Sequence, residues 1–207
     1  MADVLFLVRH GETVWNIEGR IQGRTDSPLT IAGLMQVTAL AGTLAQQGIG
    51  RVFCSMQGRA IHTAGIIAER AGCPVARDQR LNERHFGSFE GRMKAYLANE
   101  GALGIALLRP MDSLSKAPGG ESMGETATRI LPFLQMVHGL PDHAVAAVTH
   151  SHAMQSLLGV LMGSEDYERF RHDNASYSII RWIDKQPTVI RWNVTDHLIQ
   201  AAPAAAI

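Results

Sequence analysis

Hydrophobic positions along this chain follow two rhythms in alternation. Nearly unbroken apolar runs occur at 3–8 (DVLFLV), 51–55 (RVFCS) and 144–149 (AVAAVT). Such runs predict strands covered on both faces. Elsewhere the apolar residues recur every three or four positions. Leu34, Val37, Leu40, Ala41 and Leu44 share one face of a helix that Thr30 caps, that runs to about Gln47 and that Gly48 ends. A second helix is expected over 57–71, stopped by Gly72-Cys73-Pro74, with a short extended piece at 74–77. SMGE, Ser122 to Glu125, has the form of a capping box and opens a helix to about His138, in which Pro132 should kink or thin the structure. Residues 152–162 form an amphipathic helix. Residues 176–183 and 188–194 read as two strands joined by a turn at Lys185-Gln186-Pro187. A weak helical pattern marks 92–120, and the tail AAPAAAI reads as loosely packed.

Strands that alternate with helices predict an α/β fold: a three-layer sandwich, with a mostly parallel central sheet and helices on both faces. With 207 residues, no internal repeat and no linker, the chain reads as one domain, 1–207. Residues 9–29, rich in Gly, Asn, Arg and Asp, read as a long loop, and loops of that length are usually functional.

Formal net charge is zero, so the basic excess of a dedicated nucleic-acid binder is lacking. No apolar run is long enough to span a membrane, and the N-terminus is too short and wrongly flanked for a signal peptide. Two cysteines, Cys54 and Cys73, make neither a disulfide framework nor a metal signature and read as reduced thiols. The cytoplasm is the default location. Oligomeric state is not encoded legibly, and a homodimer is left open.

Ligands of open α/β sheets gather at the carboxyl ends of the strands. Here the first strand ends in Arg9-His10, the second in Ser55 with Arg59 one helical turn on, and the late strand in Thr149-His150. The segment RLNERHFGSFEG adds Glu83. Two arginines and two histidines converging on one edge make an oxyanion pocket suited to a phosphoryl group. A neutral imidazole can attack phosphorus, and a carboxyl group raised toward neutrality by burial can protonate the leaving oxygen. The competing reading of Glu83 is an ion pair with Arg80 or Arg84. His150 and His152 lie two apart, but the arginines would repel a cation, so no metal site is expected.

The spaced motifs LVRHGETVWN, GRIQGRTDSPLTIAG, SMQGRAIHTA, LNERHFGSFEG, PGGES and THS, over roughly 3–195, resemble the histidine phosphatase superfamily, which includes the phosphoglycerate mutases. The resemblance implies that His10 is the phosphorylated nucleophile. It also implies that Arg9, Arg59 and His150 hold the phosphoryl oxygens and that Glu83 serves as acid and then as base. Asn16 and the backbone near Gln22 and Gly23 would line the substrate side, and neither metal nor nucleotide cofactor is required. The family commonly has glycine after the late histidine. Here Ser151 stands there, adding a side chain where the backbone approaches the phosphate.

The leading functional expectation is a phosphomonoester hydrolase acting through phosphohistidine on a small phosphorylated metabolite. The alternative is a cofactor-dependent phosphoglycerate mutase. LNERH and Lys94, a candidate substrate contact, look like the mutases; FGSFEG and PGGES look like the phosphatases. Phe86 occupies a position where mutases usually carry tyrosine, and Arg109 is followed by Pro110 rather than by a second arginine. A protein phosphohistidine phosphatase and a non-catalytic phosphate-binding module are weaker readings. Leu108, Met111 and Leu114 are expected to wall the leaving-group side.

Overall fold

In the computed structural model, which describes residues 1–97, 99, 101–108 and 110–200, the two rhythms become strands and helices. In chain order they are β1 (Val4–Arg9), α1 (Val14–Ile17), α2 (Ile31–Ala45), β2 (Ile49–Cys54), α3 (Gly58–Ala71), β3 (Val75–Arg77), α4 (Lys94–Leu97), α5 (Gly101–Leu108), α6 (Met123–His138), β4 (Ala144–Thr149), α7 (Ser151–Leu161), β5 (Tyr177–Ile183), β6 (Gln186–Val194) and α8 (Asp196–Gln200). One six-stranded sheet has the order β3-β2-β4-β1-β5-β6. The pairs β3–β2, β2–β4 and β4–β1 are parallel, whereas β1–β5 and β5–β6 are antiparallel.

Alternation along β1 decides the layers. Val4, Phe6 and Val8 join Val37, Leu40, Ala41 and Leu44 of α2 and Ala60, Ala64 and Ile67 of α3 in one core. Leu5 and Leu7 face the other way, onto Ile130, Phe133, Leu134 and Val137 of α6 and Ala153, Met154, Leu157 and Leu158 of α7. With a period of two, the apolar side chains of β1 fall alternately into the two cores, and its apolar run needs no polar face. A third, smaller cluster of Ile21, Phe86, Phe89, Leu97, Leu107 and Ala117 packs the loops that rise above the sheet.

Register places the chemistry. Arg9 pairs with Thr149 and Cys54 with Val148, so β1, β4 and β2 end level with one another, with β4 between the other two. The residues that follow, His10, His150 and Ser55, therefore leave the sheet side by side.

Several expectations are corrected. The loop 9–29 contains α1, built by a reciprocal capping box between Thr13 and Asn16 that four residues of helix signal are too short to announce. Helix α2 ends at Ala45, and Gly48, at φ +66°, belongs to the turn beyond it. Helix α6 runs unbroken through Pro132, because that residue lies on the exposed side, where water can serve the carbonyl the ring leaves unbonded. The late hairpin turns at Asp184-Lys185, with φ of +50° and +66°, as a two-residue loop demands; Pro187 sits inside the edge strand β6, where a missing N–H is tolerated. The 92–120 region yields α4 and α5, and α8 was not foreseen. Arg109 and the tail 201–207 lie outside the described residues. Cys54 is buried and Cys73 partly so, both as free thiols. Among the described residues no helix is long and apolar enough to cross a membrane.

One contact ties α2 to the end of β1. A Cβ on Gly33 would lie 2.1 Å from the Glu12 carbonyl oxygen, and one on Gly11 would lie 2.8 Å from the Gly33 carbonyl oxygen. Backbone meets backbone there, so neither glycine can carry a side chain without moving the segment after His10. Gly33→Ala should cost about 1–3 kcal/mol in urea unfolding and lower kcat/KM by about 10²-fold. Gly42→Ala, in the same helix with open space around it, should be neutral or stabilising by up to about 1 kcal/mol. Equal behaviour of the two variants in unfolding and activity would contradict this packing.

Candidate active site

A cleft of about 230 Å³ opens above the level strand ends. It is lined by Arg9, His10, Asn16, Gln22, Gly23, Arg59, Glu83, Lys94 and Ser151, nine of the ten residues singled out in the sequence. His150, the tenth, lies behind the lining, fully buried, with its ring centroid 5.1 Å from that of His10.

His10 Nδ1 lies 2.7 Å from the Gly11 carbonyl oxygen. A carbonyl only accepts, so Nδ1 carries the proton and Nε2 carries the lone pair. The Nε–H of Arg59 points at that lone pair from 3.3 Å. Burial, followed by the charges of Arg59 and Arg9, drives the His10 pKa well below its ordinary value, so the ring is neutral at physiological pH. The ring is thus neutral, with an unprotonated nitrogen facing cations.

Arg59 comes from the first turn of α3 and is 2% exposed. Its Nη1 donates to the Thr25 carbonyl (2.7 Å) and to Asp26 (3.1 Å), and its Nη2 to the Gly23 carbonyl (2.8 Å). Gly23 is at φ +54°, and a Cβ there would strike the Glu90 carboxylate at 2.1 Å. Glu90, which the sequence reading did not single out, takes the N–H groups of Arg24, Thr25 and Phe86 at 3.0, 3.1 and 3.0 Å, stapling the 22–25 loop to the 86–90 loop. Asn16 Oδ1 is occupied by Thr13 and by Asn174 Nδ2 (3.1 Å), which leaves its amide nitrogen as the group to meet an anion.

Arg9 is held by the carbonyl of His172, and its Nε is buried without a protein partner. Burial lowers its pKa to about 10, still far above neutrality. His172 also lines the cleft, but both its ring nitrogens are engaged: Nδ1 donates to the Phe170 carbonyl at 2.7 Å and Nε2 accepts from Ser178 at 2.7 Å. His150 Nε2 pairs with Ser55 Oγ at 2.7 Å, and its Nδ1 is buried with no partner. Two buried, unpaired nitrogens beside His10 are costly unless an anionic oxygen completes them.

Glu83 follows a 3₁₀ turn, Gln79–Leu81, and its ion-pair reading fails. Arg80 pairs with Asp78, and the Arg84 guanidinium donates to the carbonyls of Glu121 (2.8 Å) and Ser115 (2.6 Å). The Glu83 carboxyl instead receives backbone N–H groups. Oε1 accepts from Arg84 at 2.9 Å and from Ala153 at 3.0 Å, while Oε2 has only a long contact, 3.4 Å, from His152 N–H. Burial raises its pKa; those N–H groups, with Arg59 and Arg9, oppose the rise without cancelling it. A proton on this carboxyl belongs on Oε2, because Oε1 is already an acceptor twice over.

The first turn of α7 accommodates Ser151 without a left-handed backbone, and Gln155 Nε2 donates to its Oγ at 3.1 Å. Arg20, Ile21, Phe86, Leu107, His152, Gln155, Glu168 and Arg171 also line the cleft and were not foreseen as its wall. The expected apolar wall is corrected: Met111 and Leu114 are 59% and 82% exposed and lie outside the cleft, the side chain of Leu108 is not described, and the apolar surface comes from Ile21, Phe86 and Leu107. PGGES forms the turn that enters α6: Gly120 packs on the His85 carbonyl and Ser122 caps the helix. Among the described residues no group of three or more His, Cys, Asp or Glu is placed to hold a metal ion.

The sequence profile of the histidine phosphatase superfamily (branch 1) matches residues 5–195. The probable phosphoglycerate mutase GpmB of Serratia proteamaculans is 38% identical over 177 residues, covering 84% of this chain and 82% of that protein. Bacillus stearothermophilus YhfR superposes with a TM-score of 0.88 at 28% identity, over 95% of this chain and 100% of that one. Mycobacterial glucosyl-3-phosphoglycerate phosphatase, in its complex with VO3, gives 0.83 at 27% identity over 93% and 100%. The sequence match, the sheet and the cleft agree: this chain belongs to the histidine phosphatase superfamily and is an enzyme of that phosphatase and phosphoglycerate mutase-like type.

Proposed function

We propose that the protein hydrolyses a small phosphorylated metabolite, a phosphomonoester, through a phosphohistidine formed at His10. The observation that carries this reading is the Nδ1–H bond to the Gly11 carbonyl, which aims the free Nε2 into a cleft lined by Arg9, Arg59 and Glu83. Nε2 attacks phosphorus in line, the ester P–O bond breaks, and Glu83 Oε2 passes its proton to the departing alkoxide. The positive charge that develops on the ring is held by the Gly11 carbonyl. Arg9, Arg59 and His150 Nδ1–H stabilise the phosphoryl oxygens. Glu83, now ionised, takes a proton from water as the water attacks phosphorus; the P–N bond breaks and phosphate leaves.

The mutase reading is supported by the LNERH motif, by the name of the Serratia relative and by Lys94 in the cleft wall. A mutase must hold a second phosphoryl group through a half-turn without losing it to water. Of the outer cations, Arg20 is bound to Glu18 at 2.6 Å and Arg171 to Glu168 at 2.9 Å. Lys94 alone among them has no carboxylate partner among the described residues, which is thin for a second clamp. The hydrolase reading is therefore preferred. 3-Phosphoglycerate, given with and without bisphosphoglycerate, should release phosphate or remain untouched; rapid isomerisation that depends on bisphosphoglycerate would establish the mutase instead.

Three further results are expected. His10→Ala should abolish both turnover and alkaline-quench trapping of a phosphoenzyme, and full labelling of that variant would refute the nucleophile. Glu83→Gln should lower kcat/KM for alkyl phosphates by about 10²–10⁴-fold and far less for 4-nitrophenyl phosphate, whose leaving group needs no proton. Wild-type kcat/KM for alkyl phosphates should fall as pH rises through the Glu83 pKa, which burial moves above the ordinary carboxylate range. That limb should vanish in Glu83→Gln. Equal losses on both leaving groups would refute Glu83 as the acid.

A further inference from the structure

The first two turns of α7 carry polar atoms that the two-step reaction does not use. Ser151, His152 and Gln155 all line the cleft, and Ser151 and Gln155, four apart, share one helix face. Gln155 is 2% exposed. Its amide is fixed at one end, Nε2 donating to Ser151 Oγ at 3.1 Å, while Oε1 is buried with no partner. His152 Nδ1 is buried and unpartnered too, and the His152 ring lies 5.0 Å from that of Phe86. Buried acceptors without donors are rare and are retained where something else completes them.

The chemistry of these atoms selects the complement. A carboxylate or phosphate oxygen at Gln155 Oε1 would set lone pair against lone pair. An O–H group donates to Oε1 and still has lone pairs for a neighbouring donor, which the Ser151 hydroxyl supplies once its own oxygen is held by Gln155. Phe86 and Leu107 offer apolar surface in the same cleft for a C–H skeleton.

We propose that Ser151 and Gln155 form a hydroxyl-reading subsite, and that the leaving group is an alcohol bearing at least one further hydroxyl, of the polyol or sugar type. This rests on the hydrolase reading and names its substrate class. The serine that replaces the family's usual glycine is then a specificity residue, because it orients the amide that meets the substrate.

The test compares two esters of equal chain length, sn-glycerol 3-phosphate and n-propyl phosphate, which lacks both hydroxyls, with 4-nitrophenyl phosphate as a third substrate. The readout is the ratio of kcat/KM for the first two. Wild type should favour glycerol 3-phosphate about tenfold or more. Gln155→Leu should collapse that ratio to within about threefold of one. Ser151→Ala, which removes only the oxygen that holds the amide, should lower it about threefold or more with an unchanged thermal midpoint, and so serves if the leucine variant does not fold. A wild-type ratio near one, or a ratio that survives both substitutions, would overturn the inference while 4-nitrophenyl phosphate turnover leaves the hydrolase reading standing. No turnover of any of the three esters would overturn the hydrolase reading and this inference with it.

Discussion

A single hydrogen bond, from His10 Nδ1 to the carbonyl of the next residue, decides what this cleft can do. An imidazole in water exchanges tautomers freely and is half protonated near pH 6.5. Here the carbonyl acceptor selects one tautomer, and burial beside two guanidinium groups removes the protonated form. The bond requires the Gly11 carbonyl to stand in a fixed place, and that place is set by the close approach of Gly11 to Gly33 on α2. A packing contact between two backbones thus determines which nitrogen of His10 faces the cleft without a proton.

The rest of the fold serves the same end. Level strand termini bring β1, β4 and β2 to one edge, so groups roughly 50 and 140 residues from His10 in sequence share its surroundings. Two cations would repel each other in so small a space, and the protein neutralises that cost with carbonyls and carboxylates. Arg59 alone meets Thr25, Gly23 and Asp26. Arg84 and Arg129 act at one remove: the first ties the Glu83 loop to the carbonyls of Ser115 and Glu121, and the second holds the Arg80 carbonyl at 2.7 Å and the Glu121 carboxylate at 2.9 Å. Arginine suits these posts because its planar fork reaches several fixed oxygens at once.

Much of this was legible in the residues. Apolar runs marked β1, β2 and β4, and the rule that ligands sit at strand carboxyl ends drew Arg9, His10, Arg59 and His150 together before any atom was placed, with Glu83 added from the segment RLNERHFGSFEG. The failures have a common physical origin. α1 and α8 are short and held by local capping or tertiary packing, so periodicity has too few turns to register. Gln155 and Phe86 reach the cleft through helix phase and loop packing, which no spacing announces. Glu90 binds backbone N–H groups, and any exposed glutamate looks the same in a sequence. Arg84 was weighed as an ion-pair partner for Glu83; its guanidinium turns instead to carbonyls that only the folded chain brings within reach.

Nitrogen-15 NMR of the histidine-labelled protein tests the central claim most directly, since it reports which ring nitrogen carries the proton. His10 should show a protonated Nδ1 and a pyridine-like Nε2 at pH 7.5, and should keep that pattern as pH falls past 6.5, where a free imidazole titrates. A proton on Nε2, or an ordinary transition to imidazolium near pH 6.5, would contradict the account.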